Sequence, residues 1–221
     1  MAAFERIDAG FDLWRDGEGT CALIVVQEIF GVNAFIQQNA AFFAANGFNV
    51  AAPDLFWRDE QQLALGPDQA DRARALMASY DWVAGMQDIA ATVKHMKAEG
   101  ADQVFLLGYC MGGAVAALAA AECDVTAAVG YYGVRVLERL NGRVPKAPLL
   151  MHLAEQDSHV PPEQQGALKQ AFADKAHIRI LSHPGQEHAF CRPNGPAYDE
   201  KAAALAHAAT LSWFEMHGAG A

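Results

Sequence analysis

The segment Val104–Gly113, VFLLGYCMGG, constrains this chain more than any other. An apolar run reads as a buried strand. The turn Gly108-Tyr109-Cys110-Met111-Gly112 follows at once, and AVAALAAAE then reads as a tightly packed helix. So short a passage from strand to helix folds the backbone sharply. Glycines two residues either side of Cys110 remove Cβ atoms that would strike the adjoining strand and helix. The turn presents the Cys110 side chain at a helix N-terminus, where the dipole favours thiolate over thiol. It also leaves the Met111 N–H free to bind an oxyanion.

The remaining pattern agrees with a strand–turn–helix architecture. Short β-rich runs alternate with longer helical ones, which predicts an α/β fold whose central sheet is mostly parallel and flanked by helices on both faces. Strands are expected at Cys21–Gln27, Asn49–Ala52, Gln103–Leu107, Val125–Tyr131, Pro148–Leu153 and Ile178–Leu181. Helices are expected at Asn33–Asn46, Pro67–Ser79, Val83–Glu99, Pro162–Lys175 and roughly Pro196–His217. Gly47 and Gly100 stop the first and third of these helices. Neither a repeat nor a linker breaks the 221 residues, so one domain over residues 1–221 is expected. In such sheets chemistry lies at the carboxyl ends of strands. Four of those ends carry reactive side chains: Gln27–Phe30, Gly108–Gly113, Ala154–Val160 and His183–Arg192.

A nucleophile on this kind of elbow takes an acid and then a histidine in chain order. Asp157, in the loop after the Pro148–Leu153 strand, is the expected acid, with Glu155 as the competitor. His188, in the late loop HPGQEHAFCRP, is the expected base, with His183 as the competitor. In this reading His188 takes the Cys110 proton or pairs with a thiolate already formed, and Asp157 fixes the imidazole tautomer. Attack on a carbonyl gives a thioester that water then opens. The other cysteines, Cys21, Cys123 and Cys191, read as structural.

The net charge of -10 argues against nucleic acid or an anionic membrane as partner. Four cysteines without a CxxC pair argue against a zinc or dithiol site. The N-terminal stretch lacks the apolar core of a signal peptide, and no apolar run reaches membrane-spanning length. A reduced, cytoplasmic protein is the expectation.

The chain resembles the dienelactone hydrolase family of α/β-hydrolases. The resemblance rests on Gln27 through Asn33 (QEIFGVN), Pro53-Asp54-Leu55, Gly108 through Gly113, Gly130-Tyr131-Tyr132-Gly133, and Gly185 through His188 to Phe190. It implies cleavage of an enol-lactone such as carboxymethylenebutenolide by a monomer without metal or cofactor. It further implies that Glu28 contacts the resting nucleophile and disfavours its thiolate by like-charge repulsion. The Ile29 amide would join Met111 as oxyanion donor, and Tyr131 and Phe30 would line the pocket. The family holds a substrate carboxylate with two arginines. Arg192 matches one. The position of the other falls on Ala70 here, with Arg72 as the nearest substitute and Arg74 behind it. The substrate is thus expected to be a small lactone or ester, anionic if these arginines engage it. A general carboxylesterase or thioesterase, a non-catalytic binding module and a thiol redox sensor are the alternatives.

Overall fold

The central strands are buried almost without interruption, and successive side chains enter opposite cores, which is how a sheet covered on both faces must read. Leu23 and Val25 of β3 (Cys21–Val26) pack into one core, while Ala22, Ile24 and Val26 pack into another. The computed structural model describes residues 2–220, built on one eight-stranded sheet. The other strands are β1 (Ala3–Arg6), β2 (Asp12–Asp16), β4 (Phe48–Pro53), β5 (Val104–Tyr109), β6 (Ala127–Tyr131), β7 (Leu149–Ala154) and β8 (Ile178–His183). Their spatial order is β1-β2-β4-β3-β5-β6-β7-β8. All pairs from β4 to β8 are parallel, and β1 and β2 add an antiparallel edge. This is the α/β-hydrolase fold.

On one face lie α1 (Ala34–Ala45) and α7 (Glu200–Met216), joined through Phe43, Phe48, Phe105 and Phe214. On the other lie α2 (Ala70–Ser79), α3 (Trp82–Ala98), α4 (Met111–Glu122), α5 (Val136–Leu140) and α6 (Pro162–Ala171). Among the described residues no helix is long and apolar enough to cross a membrane.

The expected strands and the six expected helices, the one after the elbow included, are present with shifted ends. The helix expected over Pro162–Lys175 stops at Ala171, and the last begins at Glu200, where Asp199 accepts from the Ala202 N–H as N-cap. The strands β1 and β2 and the short α5 carry no counterpart in the sequence reading. β1 and β2 are short, and their exposed sides are charged, as suits an edge hairpin.

The strand order sets the place of the site. From β3 the chain moves outward to β4, then returns past β3 to β5. The order reverses between β3 and β5, and their carboxyl ends diverge to leave a crevice. Gln27–Phe30 and Cys110 lie at those two ends.

Candidate active site

Cys110 sits between β5 and α4 with φ 55° and ψ -112°, a conformation that L side chains rarely adopt. Such backbone costs on the order of 1–3 kcal/mol and persists only where the surroundings enforce it. The enforcing contacts are visible. A Cβ on Gly108 would strike the Gly112 carbonyl. One on Gly112 would lie 2.5 Å from the Val26 oxygen and 2.7 Å from the Gln27 oxygen. The start of α4 is therefore pressed against the end of β3. The Cys110 N–H donates to the Tyr131 carbonyl (3.0 Å), and the Cys110 carbonyl accepts from the Gly113 N–H (3.0 Å).

Asp157 and His188 arrive from the loops after β7 and β8. The Asp157 carboxylate is buried and accepts from the N–H groups of His159 (2.8 Å) and Val160 (3.1 Å). It also meets His188 Nδ1 at 2.9 Å. A carboxylate only accepts, so Nδ1 carries the proton and Nε2 is left for Cys110. Burial lowers the His188 pKa, but hydrogen bonds to Asp157 and Cys110 outweigh it and hold the imidazolium up to about 10. The three side chains thus come together, with Asp157 on His188 Nδ1 and Cys110 near enough to raise the His188 pKa. Of the competitors, Glu155 instead accepts from the Gly185 N–H (3.1 Å), and His183 faces His152 across 2.9 Å.

Three further residues shape this arrangement, and sequence reasoning passed over them. Glu187 accepts from the Ser158 N–H (2.6 Å) and the His188 N–H (2.7 Å), clipping the acid loop to the base loop. The rings of Tyr132 and His159 pack edge-on against His188, with centroids 4.9 and 4.6 Å away. Tyr132 offered a signal in Gly130-Tyr131-Tyr132-Gly133. Glu187 and His159 offered none beyond adjacency, because a clip between two loops has no periodicity.

The Glu28 carboxylate is buried beside the elbow. One oxygen accepts from Arg192 Nη1 at 2.9 Å, and the other has no partner among the described residues. Ile29 follows, and its N–H finds no acceptor among the described residues. The Met111 N–H opens α4, where no intrahelical acceptor exists. The two amides thus belong to the ends of β3 and β5, the pair of strands that bounds the crevice. Arg192 lies over the Phe30 ring at 5.2 Å, and both line a cavity of about 410 Å³. Tyr131 lies deeper. It is fully buried, and its hydroxyl donates to the Ala206 carbonyl (3.1 Å). Arg72 is on the exposed side of α2, paired with Glu60, and Arg74 pairs with Asp71. Neither arginine lines that cavity.

A model of the dienelactone hydrolase family matches residues 15–218. This chain belongs to the dienelactone hydrolase family. It is therefore a hydrolase of the carboxylic ester class. Carboxymethylenebutenolidase of Pseudomonas putida is 34% identical over 198 residues, which span 86% of this chain and 84% of that one. Carboxymethylenebutenolidase 1 of Cupriavidus pinatubonensis is 31% identical over 201 residues, spanning 88% and 85%. A solved structure of a candidate dienelactone hydrolase from Klebsiella pneumoniae superposes with a TM-score of 0.85 at 24% identity, covering 97% of this chain and 98% of its own. That family resemblance was legible in the elbow and the QEIFGVN segment.

Proposed function

We propose that this hydrolase opens a lactone or small ester through Cys110, His188 and Asp157, with a thioester acyl-enzyme. The observation that carries the reading is the convergence of three side chains from three separate loops, with His188 bonded to Asp157 at 2.9 Å and Cys110 near enough to raise the His188 pKa. The Cys110 thiolate adds to the carbonyl carbon, forming a C–S bond. The carbonyl oxygen becomes an oxyanion that the Ile29 and Met111 amides receive. Collapse breaks the C–O bond, and the His188 imidazolium protonates the departing oxygen. His188, now neutral, takes a proton from water. The resulting hydroxide adds to the thioester, the C–S bond breaks, and the carboxylic acid leaves with thiolate and imidazolium restored.

A sulfur nucleophile narrows the substrate. From the tetrahedral intermediate a thiolate, whose conjugate acid has a pKa of about 8.5, departs more readily than an ordinary alkoxide. Forward reaction is favoured when the other leaving group is an enolate or a phenolate, the latter with a pKa of about 10. An enol-lactone, as in the carboxymethylenebutenolidases, meets that requirement, and a simple alkyl ester does not. Glu28 is proposed to hold the thiol in check through its negative field. Arg192 and Phe30 are proposed to contact substrate, in a monomeric, cytoplasmic enzyme.

The test compares wild type with Cys110→Ala on an enol-lactone, p-nitrophenyl acetate and ethyl acetate. Wild type should open the first two far faster than the third, and a quenched reaction should show an acyl adduct on Cys110 by mass spectrometry. Cys110→Ala should lose at least about 10⁴-fold in kcat, the scale seen when a triad nucleophile is removed. Undiminished hydrolysis by Cys110→Ala would refute the proposal.

A further inference from the structure

The layer formed by α1 and α7 is set apart by its lack of charge. From Ile29 to Pro53 the chain has no charged residue, so α1 is neutral throughout. Its exposed side chains include Gln38, Ala41, Phe42 and Ala45. The Phe42 ring lies 4.9 Å from that of His207, which sets α1 beside α7. Past Glu200 at its start, α7 carries charge only at Lys201 and Glu215. The titratable group between them, His207, stays neutral because burial lowers it to about 4. The outer face of α7 is formed by Lys201, Leu205, Ala208, Ser212, Glu215 and Met216, all exposed and all within about 100° of arc at the pitch of an α-helix. Leu205 is 68% exposed and Met216 61%, and Phe42 borders them from α1. Neighbouring apolar side chains left in water mark a contact surface.

This face is complementary to itself. Lys201 and Glu215 each lie seven positions from Ala208, one before it and one after. Antiparallel packing of two α7 helices about a two-fold axis at Ala208 therefore sets Lys201 of each copy against Glu215 of the other, and the same contact closes both ends. The small Ala208 at the axis lets the helices approach closely. Two chains that each carry a net charge of -10 repel, and a neutral layer is where they meet at least cost. The same net charge opposes an anionic membrane on this face.

We infer that the α1–α7 face docks a second copy of this chain, with α7 antiparallel to α7 about a two-fold axis at Ala208 and Lys201–Glu215 pairs at both ends. One helix face with a bordering ring makes a small interface, so the pair forms at concentrations on the order of 10–100 μM, as for other weak contacts of limited area. The dilute enzyme of the proposed function then acts as a single chain.

The deciding experiment is sedimentation equilibrium of the full chain from about 1 to 300 μM, a range that brackets such an affinity. The mean mass should rise from that of one chain toward that of two. Leu205→Glu and Ala208→Glu alter exposed positions, so their melting temperatures should match wild type, and both should hold the mass at one chain throughout. Lys201→Glu alone and Glu215→Lys alone should each weaken association by at least about tenfold, because the two-fold axis repeats the clash at both ends. The two substitutions combined restore opposite charges across the axis and should return the affinity to within about threefold of wild type. Cys110→Ala should associate as wild type does, so the outcome is separate from the hydrolase reading. A single-chain mass at every concentration would overturn the inference, as would a pair that Ala208→Glu leaves intact. Failure of the combined variant to recover would overturn the antiparallel pairing. Binding of phosphatidylcholine vesicles by a chain that stays single would assign the face to lipid and overturn it too.

Discussion

At the scale of single residues, the elbow is governed by hard-sphere contact. Gly112→Ala sets a Cβ against the Val26 and Gln27 carbonyls, two backbone atoms that cannot rotate away. The expected cost is about 1–3 kcal/mol in urea unfolding, the range for overpacking a tight interior, together with a drop in kcat as Cys110 is displaced. Proton control belongs to this scale too. The His188 pKa is raised to about 10, so the imidazolium that protonates the leaving oxygen in the proposed mechanism is lost as pH approaches that value. The profile of kcat/KM should fall on its alkaline side, and Asp157→Asn should move that fall to lower pH. The same shift bears on stability with a defined sign. A raised histidine pKa contributes fully below 6.5, its unfolded value, and that contribution disappears as pH climbs through about 10. Glu28→Gln removes a buried negative charge near the thiol and frees Arg192 from its partner. Both changes favour thiolate, so iodoacetamide at pH 7 should alkylate Cys110 faster in that variant than in wild type, as peptide mapping would show.

At the scale of elements, two polar assemblies hold the site's loops. Glu187 ties the loop after β7 to the loop after β8 through two backbone amides. Glu187→Ala should lower kcat by about tenfold with little change in melting temperature, because a partly exposed clip contributes to geometry more than to stability. The second assembly lies beneath the site and threads β6, β7, β8 and α7. Tyr131 donates its only hydroxyl proton to the Ala206 carbonyl, so Thr210 must donate to Tyr131. Thr210 then accepts from His152 Nε2 (3.2 Å), which leaves His152 Nδ1 to accept from His183 Nε2 (2.9 Å). Every member has a fixed direction only while His152 is neutral. Burial and the nearby histidines hold its pKa well below 6.5, and burial lowers His207, in the same core, to about 4. Histidines with depressed pKa values stabilise fully above 6.5, and that stability is lost as pH falls below it, since the unfolded chain binds protons first. Unfolding free energy should therefore decline from pH 6.5 toward 4, and His207→Gln should flatten part of the slope. The sequence announced His183 as a rival base but could not show this role. Its partner His152 is 31 residues away and meets it only because β7 pairs with β8, and Thr210 of α7 joins them through His152.

At the scale of the whole molecule, chain connectivity and crevice position agree. The reversal of strand order between β3 and β5 puts Glu28 and Cys110 on facing strand ends. Every group that the proposed chemistry uses is a side chain or backbone amide of this chain, so dialysis against EDTA should leave kcat unchanged. The sequence by itself determined the elbow, the chain order of the proposed triad Cys110, Asp157 and His188, and the parallel α/β frame. Those are local: glycine sterics, hydrophobic periodicity and capping operate within a few residues. It did not determine the β1–β2 edge, where charged alternation reads equally as an exposed loop. Nor did it determine the fate of each arginine. Arg192 and Arg72 look alike as letters, yet one is drawn over Phe30 onto a buried carboxylate and the other stays at the surface with Glu60. Only tertiary structure decides which charges are already paired, because pairing joins residues far apart in the chain. Glu28 and Arg192 stand 164 positions apart. Cys110 was marked as the candidate nucleophile by its ten-residue neighbourhood, while the pairing of the buried charges beside it was decided by the fold.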